Sequence, residues 1–336
     1  MPSTSPQAGG HLIEVLGLKK IFDTRSSILA RMRAKARKPV LAVDGISFHI
    51  DRGEGLGLIG ESGCGKTTTA MLLLRLINPS AGKIFFDGLE LTSMNARALR
   101  LARRRMQMVF QDPYESLNPG KSVSSIIAEP LVVHRLARDK RQRESMITAI
   151  MEQMGLVPAM ELVRRYPHEL SGGQRQRVAI ARALILQPEF IIADEPTSML
   201  DVSVRAGILN LLRSLRDEMQ LGSLFITHDL ALARYMCERI AVLYNGRIVE
   251  TAEREELLAN PIHPYTRALI AVASSLSEFW AQEEQMIKEL DTDWVELPDG
   301  CCRFHPRCPH QHDDCERQEP ELVEVGREHW VACHRV

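Results

Sequence analysis

The chain has 336 residues, of which 45% are apolar and 25% charged, the make-up of a soluble globular protein with one large domain or two smaller ones. A net charge of −1 gives no whole-chain case for nucleic-acid binding. No apolar run approaches the ~20 residues that span a bilayer, and the opening MPSTSPQAGG lacks the basic and apolar parts of a signal peptide, so a cytoplasmic chain with reduced thiols is expected. Charge is nonetheless uneven. Residues 19–40 hold eight Lys/Arg against one Asp, and residues 282–299 hold seven acids against one Lys, both read as solvated segments.

In chain order, Leu12 to Leu18, Ile46 to Ile50 and Lys83 to Phe86 read as strands. Leu56 to Ile59 is a buried strand, followed by Gly60, Glu61, Ser62, Gly63, Cys64, Gly65, Lys66 and Thr67, then by the helical run from Thr68 onward. This is G-x-x-x-x-G-K-[ST] between a strand and a helix, where it turns backbone N–H groups around phosphate oxygens at a helix N-terminus. Lys66 is expected on the β- and γ-phosphates and the Thr67 hydroxyl on Mg²⁺. Residues ~112–172 read mainly as helices, with Met146, Ile147, Ile150, Met151 and Met154 on one apolar face. Ser171, Gly172, Gly173 and Gln174 open a further helix whose free N–H groups offer a second anion site. Phe190 to Ala193 form a strand ending in Asp194 and Glu195, carboxylates suited to Mg²⁺ and to polarising an attacking water. Four of the seven cysteines then fall within residues 301–315 beside three histidines, as a metal site, a cluster, a disulfide knot or a coincidence.

Together, LSGGQ, the phosphate loop and DEPTS resemble the ATP-binding-cassette (ABC) ATPases over about residues 11–275. The resemblance implies an α/β fold: a P-loop ATPase with a RecA-like core, an antiparallel β-subdomain and a helical subdomain over about 112–172. Residues 1–275 would form that domain and 276–336 a small Cys-rich extension. It implies that Gln111 senses Mg²⁺ and the γ-phosphate, that Glu195 is the catalytic glutamate, and that His228 contacts the γ-phosphate. Asp201 falls in the D-loop, where Met199 departs from the usual alanine, and Phe22 matches the aromatic that stacks on adenine. The residues from Ser171 to Gln174 would close over ATP held by a partner subunit.

Three branches of this family compete: transporter subunits, ribosome-acting cassettes and DNA-repair ATPases. Ribosome-acting cassettes carry two cassettes per chain, and DNA-repair ATPases carry a long heptad insertion; neither feature is visible, which leaves a transporter subunit. VFQDPYESLNP, NPIHPYTRALI and CRFHPRCP resemble the dipeptide/oligopeptide/nickel importers, and the insertion at 25–38 resembles the second of their two ATPase subunits (type F). The implied partners are a sister ATPase, two permease subunits and a periplasmic or extracellular substrate-binding protein, at the cytoplasmic face of the inner membrane, with ATP and Mg²⁺ as cofactors. Peptides are the implied cargo, with nickel or another small solute as the alternative. In the tail, Cys302, Cys308, Cys315 and Cys333 would supply four thiolates to a [4Fe–4S] cluster, with Zn²⁺ as the alternative and Cys301 as a possible substitute ligand.

Overall fold

The structure, a computed structural model, describes residues 10–22, 39–273 and 300–336. The basic insertion at 25–38, the acidic stretch at 282–299 and the expected domain boundary at 275/276 lie outside the described residues. The first part of the chain forms β1 (Ile13–Phe22), β2 (Val40–Ile50), β3 (Gly55–Ile59), α1 (Lys66–Leu73), β4 (Ala81–Phe86), β5 (Leu89–Glu90), α2 (Ala96–Arg105) and β6 (Met106–Val109). Next come α3 (Pro113–Ser116), α4 (Val123–His134), α5 (Lys140–Gln153), α6 (Ala159–Leu162), α7 (Gly172–Leu184), β7 (Phe190–Asp194) and α8 (Val202–Met219). The chain continues through β8 (Gly222–Thr227), α9 (Leu230–Met236), β9 (Arg239–Tyr244), β10 (Arg247–Glu253), α10 (Arg254–Ala259) and α11 (Pro264–Ala273). The tail adds α12 (Asp313–Arg317), β11 (Val323–Gly326) and β12 (His329–Val331). They divide into two compact units, each described by itself.

The helical unit comprises residues 10–13, 50–54 and 86–225. Three of its longer helices start where short polar side chains satisfy open N–H groups: Asn95, Ser122 and Asp139 cap α2, α4 and α5. The apolar stripe of α5 turns Ile147, Ile150, Met151 and Met154 inward, as the periodicity required, with Met146 half-buried. Parallel strands β6 and β7 pair from Met106↔Phe190 to Val109↔Ala193, so both deliver their C-terminal ends to one edge. Every residue of β7 is buried. At the opposite end of β7, Arg105 grips Glu189 through Nε at 2.5 Å and Nη2 at 2.8 Å.

The phosphate-loop unit comprises residues 14–22, 39–49, 55–85, 226–273 and 300–336. One sheet has the order β2-β1-β4, and a second runs β11-β12-β10-β9-β3. Strand β3 lies parallel to β9, whereas β9–β10, β10–β12 and β11–β12 are antiparallel. The tail therefore enters the sheet: Glu250 faces Val331 and Thr251 faces Trp330 across β10–β12. Aromatic packing holds the rest. Phe304 of the tail meets Tyr244 edge-on at 5.2 Å and Tyr265 at 5.6 Å, inside a core cluster with Ile59, Val242 and Leu257.

Glu250 is fully buried, which is tolerable only because its carboxylate is saturated with donors. It accepts from the backbone N–H of Ile262 at 2.8 Å and of His263 at 3.0 Å, and pairs with the His329 ring at 2.8 Å. One carboxylate thus ties β10, the loop before α11 and the tail together. The hydrogen bond to Glu250 raises the His329 imidazole above its ordinary 6.5, against the opposing effect of burial. Burial lowers His263 to about 4, and its Nδ1 accepts from the N–H of Tyr265.

The two histidines oppose each other in pH. Between about 4 and 6.5 the unfolded chain protonates His263 and the folded one does not, so stability rises with pH. Above 6.5 the folded chain holds a proton on His329 that the unfolded one has lost, so stability falls as pH climbs through the folded value. Denaturant melts from pH 5 to 9 should peak near 6.5 for these two groups, and His329→Gln should flatten the alkaline limb while lowering stability by about 3 kcal/mol below it. An unchanged alkaline limb would remove His329 from this role.

Candidate functional site

The phosphate loop leaves β3 at Gly60, whose φ is 155°, and enters α1 through Gly63 and Gly65 at 81° and 110°. These angles turn successive amides the same way, and close packing fixes the residue type. A Cβ on Gly60 would lie 2.2 Å from the carbonyl oxygen of Leu243, and one on Gly65 would lie 2.3 Å from that of Ala42. No side chain caps α1 and no acid occupies its first turn, so its N–H groups remain open to an anion. Lys66 is buried and donates to the carbonyls of Gly60 at 2.7 Å and Glu61 at 2.8 Å, which keeps its ammonium within the loop. Ser62, Gly63 and Thr67 are exposed, Thr68 is half-buried, and Cys64 is buried, its thiol pushed up by burial. Thr67 sits at an uncapped helix start, where a hydroxyl can ligate a phosphate-bound cation.

The helical unit brings Gln111 and Glu195 together: Gln111 Nε2 donates to Glu195 Oε2 at 3.2 Å. The bond uses one N–H of the amide and leaves the Gln111 carbonyl oxygen for a cation. Glu195 takes a φ of 43°, unusual outside glycine. Its carbonyl is held by Ser198 through N–H at 3.2 Å and Oγ at 3.0 Å, which fixes the backbone of the DEPTS turn at this residue. Asp194 is buried at the end of β7.

Ser171 caps α7 reciprocally: its Oγ accepts from Gln174 N at 3.3 Å, and Gln174 Oε1 accepts from Ser171 N at 3.0 Å. The cap uses a lone pair of the exposed hydroxyl and leaves its proton to donate. Gly172 and Gly173 follow in the first turn, where a Cβ on Gly173 would lie 2.6 Å from Val204 Cγ1. Asp201 starts α8 and Met199 is exposed. In the phosphate-loop unit, His228 is exposed just past β8, before Asp229 caps α9, and Phe22 ends β1 with Lys20 over its ring at 5.0 Å.

In the tail, the charges of neighbouring thiols bear on three of the four expected ligands, Cys302, Cys308 and Cys333. Burial, then the charges of Cys315, Cys308 and Cys333, push Cys302 up to about 11. Burial and neighbouring thiolates raise Cys308 and Cys333 likewise. The chain supports the arrangement through the Cys302 N–H, which donates to the Cys315 carbonyl at 2.8 Å. Cys301 is buried. Tyr265 lies in NPIHPYTRALI and Arg303 and Arg307 in CRFHPRCP, but the sequence assigns no role to them or to Glu250. Their partners lie too far along the chain for spacing to reveal them.

Residues 43–198 match the ABC transporter family, and residues 249–315 match the oligopeptide/dipeptide transporter C-terminal region. A putative peptide import ATP-binding protein of Brucella ovis is 45% identical over 324 residues, covering 96% of this chain and 98% of its own. The chain belongs to the ATP-binding subunits of ABC transporters. The oligopeptide transport ATP-binding protein AppF of Bacillus subtilis is 42% identical over 325 residues, 96% of this chain and 97% of AppF. Among solved structures, the dimeric bacterial ABC transporter cassette MJ0796 is similar at a TM-score of 0.63 and 28% identity, over 72% of this chain and 98% of that one. As a member of this family, the ABC subunit is an ATPase that couples hydrolysis to transport.

Gly65→Ala should weaken ATP binding by the ABC subunit, because the added Cβ meets the backbone carbonyl of Ala42. The affinity loss, measured with a fluorescent ATP analogue, should exceed about tenfold while the melting temperature moves by a few degrees only.

Proposed function

We propose that this ABC subunit powers the uptake of di- or oligopeptides across the inner membrane from its cytoplasmic face. The observation that carries the cargo is the C-terminal region, residues 249–315, which matches that of oligopeptide/dipeptide transporters. The names of the Brucella ovis and Bacillus subtilis relatives agree with it. The ATPase pairs head to tail with a sister subunit, so that the signature from Ser171 to Gln174 of one faces the phosphate loop of the other. Two permeases and a substrate-binding protein complete the importer. An open groove of about 950 Å³ in the helical unit, lined by Lys121, Glu129, Val132, Val133, Arg143 and Met160, is a surface suited to a permease loop.

In this reading the loop amides and Lys66 bind the β- and γ-phosphates, and Phe22 stacks on adenine. Thr67, Gln111 and Asp194 would hold Mg²⁺ directly or through water, and the ion would neutralise phosphate charge. Glu195 takes the proton of the attacking water, and His228 holds the γ-phosphate oxygens. Asp201 and Met199 face the partner subunit. Glu195→Gln should keep ATP affinity within twofold and cut turnover by about a hundredfold or more; near-wild-type hydrolysis would reassign the base.

The tail's donor set suits a [4Fe–4S] cluster held by Cys302, Cys308, Cys315 and Cys333, which would cross-link a segment too poor in apolar residues to fold on a core of its own. Cys315 is buried and Cys302, Cys308 and Cys333 are half-buried, the latter three pushed up by burial and by neighbouring thiols, a donor set that a cationic metal would neutralise. Buried His305 Nδ1 has no hydrogen-bond partner, so it can donate to a sulfur. Anaerobically purified protein should be brown and carry about four irons with matching labile sulfide per chain; a colourless, zinc-loaded protein would overturn the cluster.

A further inference from the structure

The second residue of the phosphate loop is an acid. Glu61 places a negative charge in a loop that must receive a triphosphate, and a like charge there opposes the ligand. The tail answers that charge. Arg307 forks the Glu61 carboxylate, Nη1 to Oε2 at 2.9 Å and Nη2 to Oε1 at 3.0 Å, the bidentate geometry that binds and orients a carboxylate best. Arg307 is 15% exposed and Glu61 38%, so the pair is partly shielded from water.

Glu61 is held at its backbone as well. Its N–H donates to the Tyr265 hydroxyl at 2.9 Å, and its carbonyl accepts from Lys66 at 2.8 Å. Tyr265 is itself buried against Phe304, three residues before Arg307. Arg303 reinforces the same region: its Nη1 donates to the Asn245 carbonyl at 2.5 Å, and the next residue, Gly246, donates its N–H to the Cys64 carbonyl at 2.8 Å. The segment between Cys302 and Cys308 thus reaches the phosphate loop at its start and, through the β9–β10 turn, at its middle.

We propose that Arg307 is a positioning residue of the ATP site: it cancels the charge of Glu61 and pins its side chain, so that the C-terminal tail sets the affinity of the phosphate loop for ATP. The proposal rests on residues 60–67 being the ATP-binding loop. Arg307 acts through Glu61, so it governs ATP binding more than the chemical step, which falls to Glu195.

The test measures ATP dissociation constants and steady-state kinetics for the full chain carrying Arg307→Met, Glu61→Gln or both. Arg307→Met leaves Glu61 uncompensated and should weaken ATP binding about three- to tenfold, raising KM with kcat within twofold of wild type. Removing the charge in the double variant should return the dissociation constant to within twofold of wild type. That rescue is the result a merely structural anchor does not give. Arg307→Lys keeps the charge but loses the fork, and its smaller rise, about twofold, should also vanish with Glu61→Gln; this pair decides the matter if Arg307→Met fails to fold. Unchanged affinity in Arg307→Met, or in Arg307→Lys should Arg307→Met not fold, overturns the role, as does a double variant as weak as its arginine single. A wild-type chain that binds no ATP would instead defeat the assignment of the loop itself.

Discussion

The structure of the phosphate-loop unit depends on a backbone that cannot carry side chains at two points. Gly60 and Gly65 press against the carbonyls of Leu243 and Ala42, and that contact is what lets the loop curl its amides inward. Curling exposes polar backbone and forces left-handed angles, which an isolated loop would relax. The surrounding strands supply the restraint. β3 and β9 run side by side, the β9–β10 turn donates to Cys64, and β2 provides the wall behind Gly65.

A second restraint is the buried carboxylate of Glu250. Burying a charge is unfavourable unless every lone pair finds a donor, and here the donors come from the loop before α11 and from the tail. That requirement makes the tail part of the fold of this unit, with β12 extending the sheet and Phe304 filling its core. In the helical unit the corresponding constraint is the left-handed turn at Glu195, which sets its carboxylate against Gln111.

Much of this was legible in the sequence, because local chemistry carried it. The strand–loop–helix around Lys66, the helix start at Ser171 and the apolar stripe of α5 each follow from residues within one or two turns of each other. The family and its ATPase activity followed from the same motifs. The tail's role was illegible for the opposite reason. Arg307 meets Glu61 across 246 positions and Arg303 meets Asp44 across 259, and no periodicity or spacing encodes such pairs. The strings that hold Tyr265 and Arg307 stood out as distinctive, yet their partners came only from three-dimensional packing.

The Asp44 contact also bears on how the molecule is made. Asp44 is buried, and although burial pushes its carboxyl up, Lys19, Arg303 and Arg247 outweigh this and hold it below the usual range. Lys19 emerges early in synthesis, Arg247 much later, and Arg303 only 259 residues after Asp44 itself. At ~5–20 residues per second the nascent strand waits roughly 10 to 50 s for that last partner. Throughout that interval β2 carries a carboxylate not yet fully compensated, and the phosphate loop lacks its arginine. The arginine that forks Glu61 thus reaches the phosphate loop only after the strands and helices that build that loop have been translated, so the loop gains its last contact later than the elements that shape it.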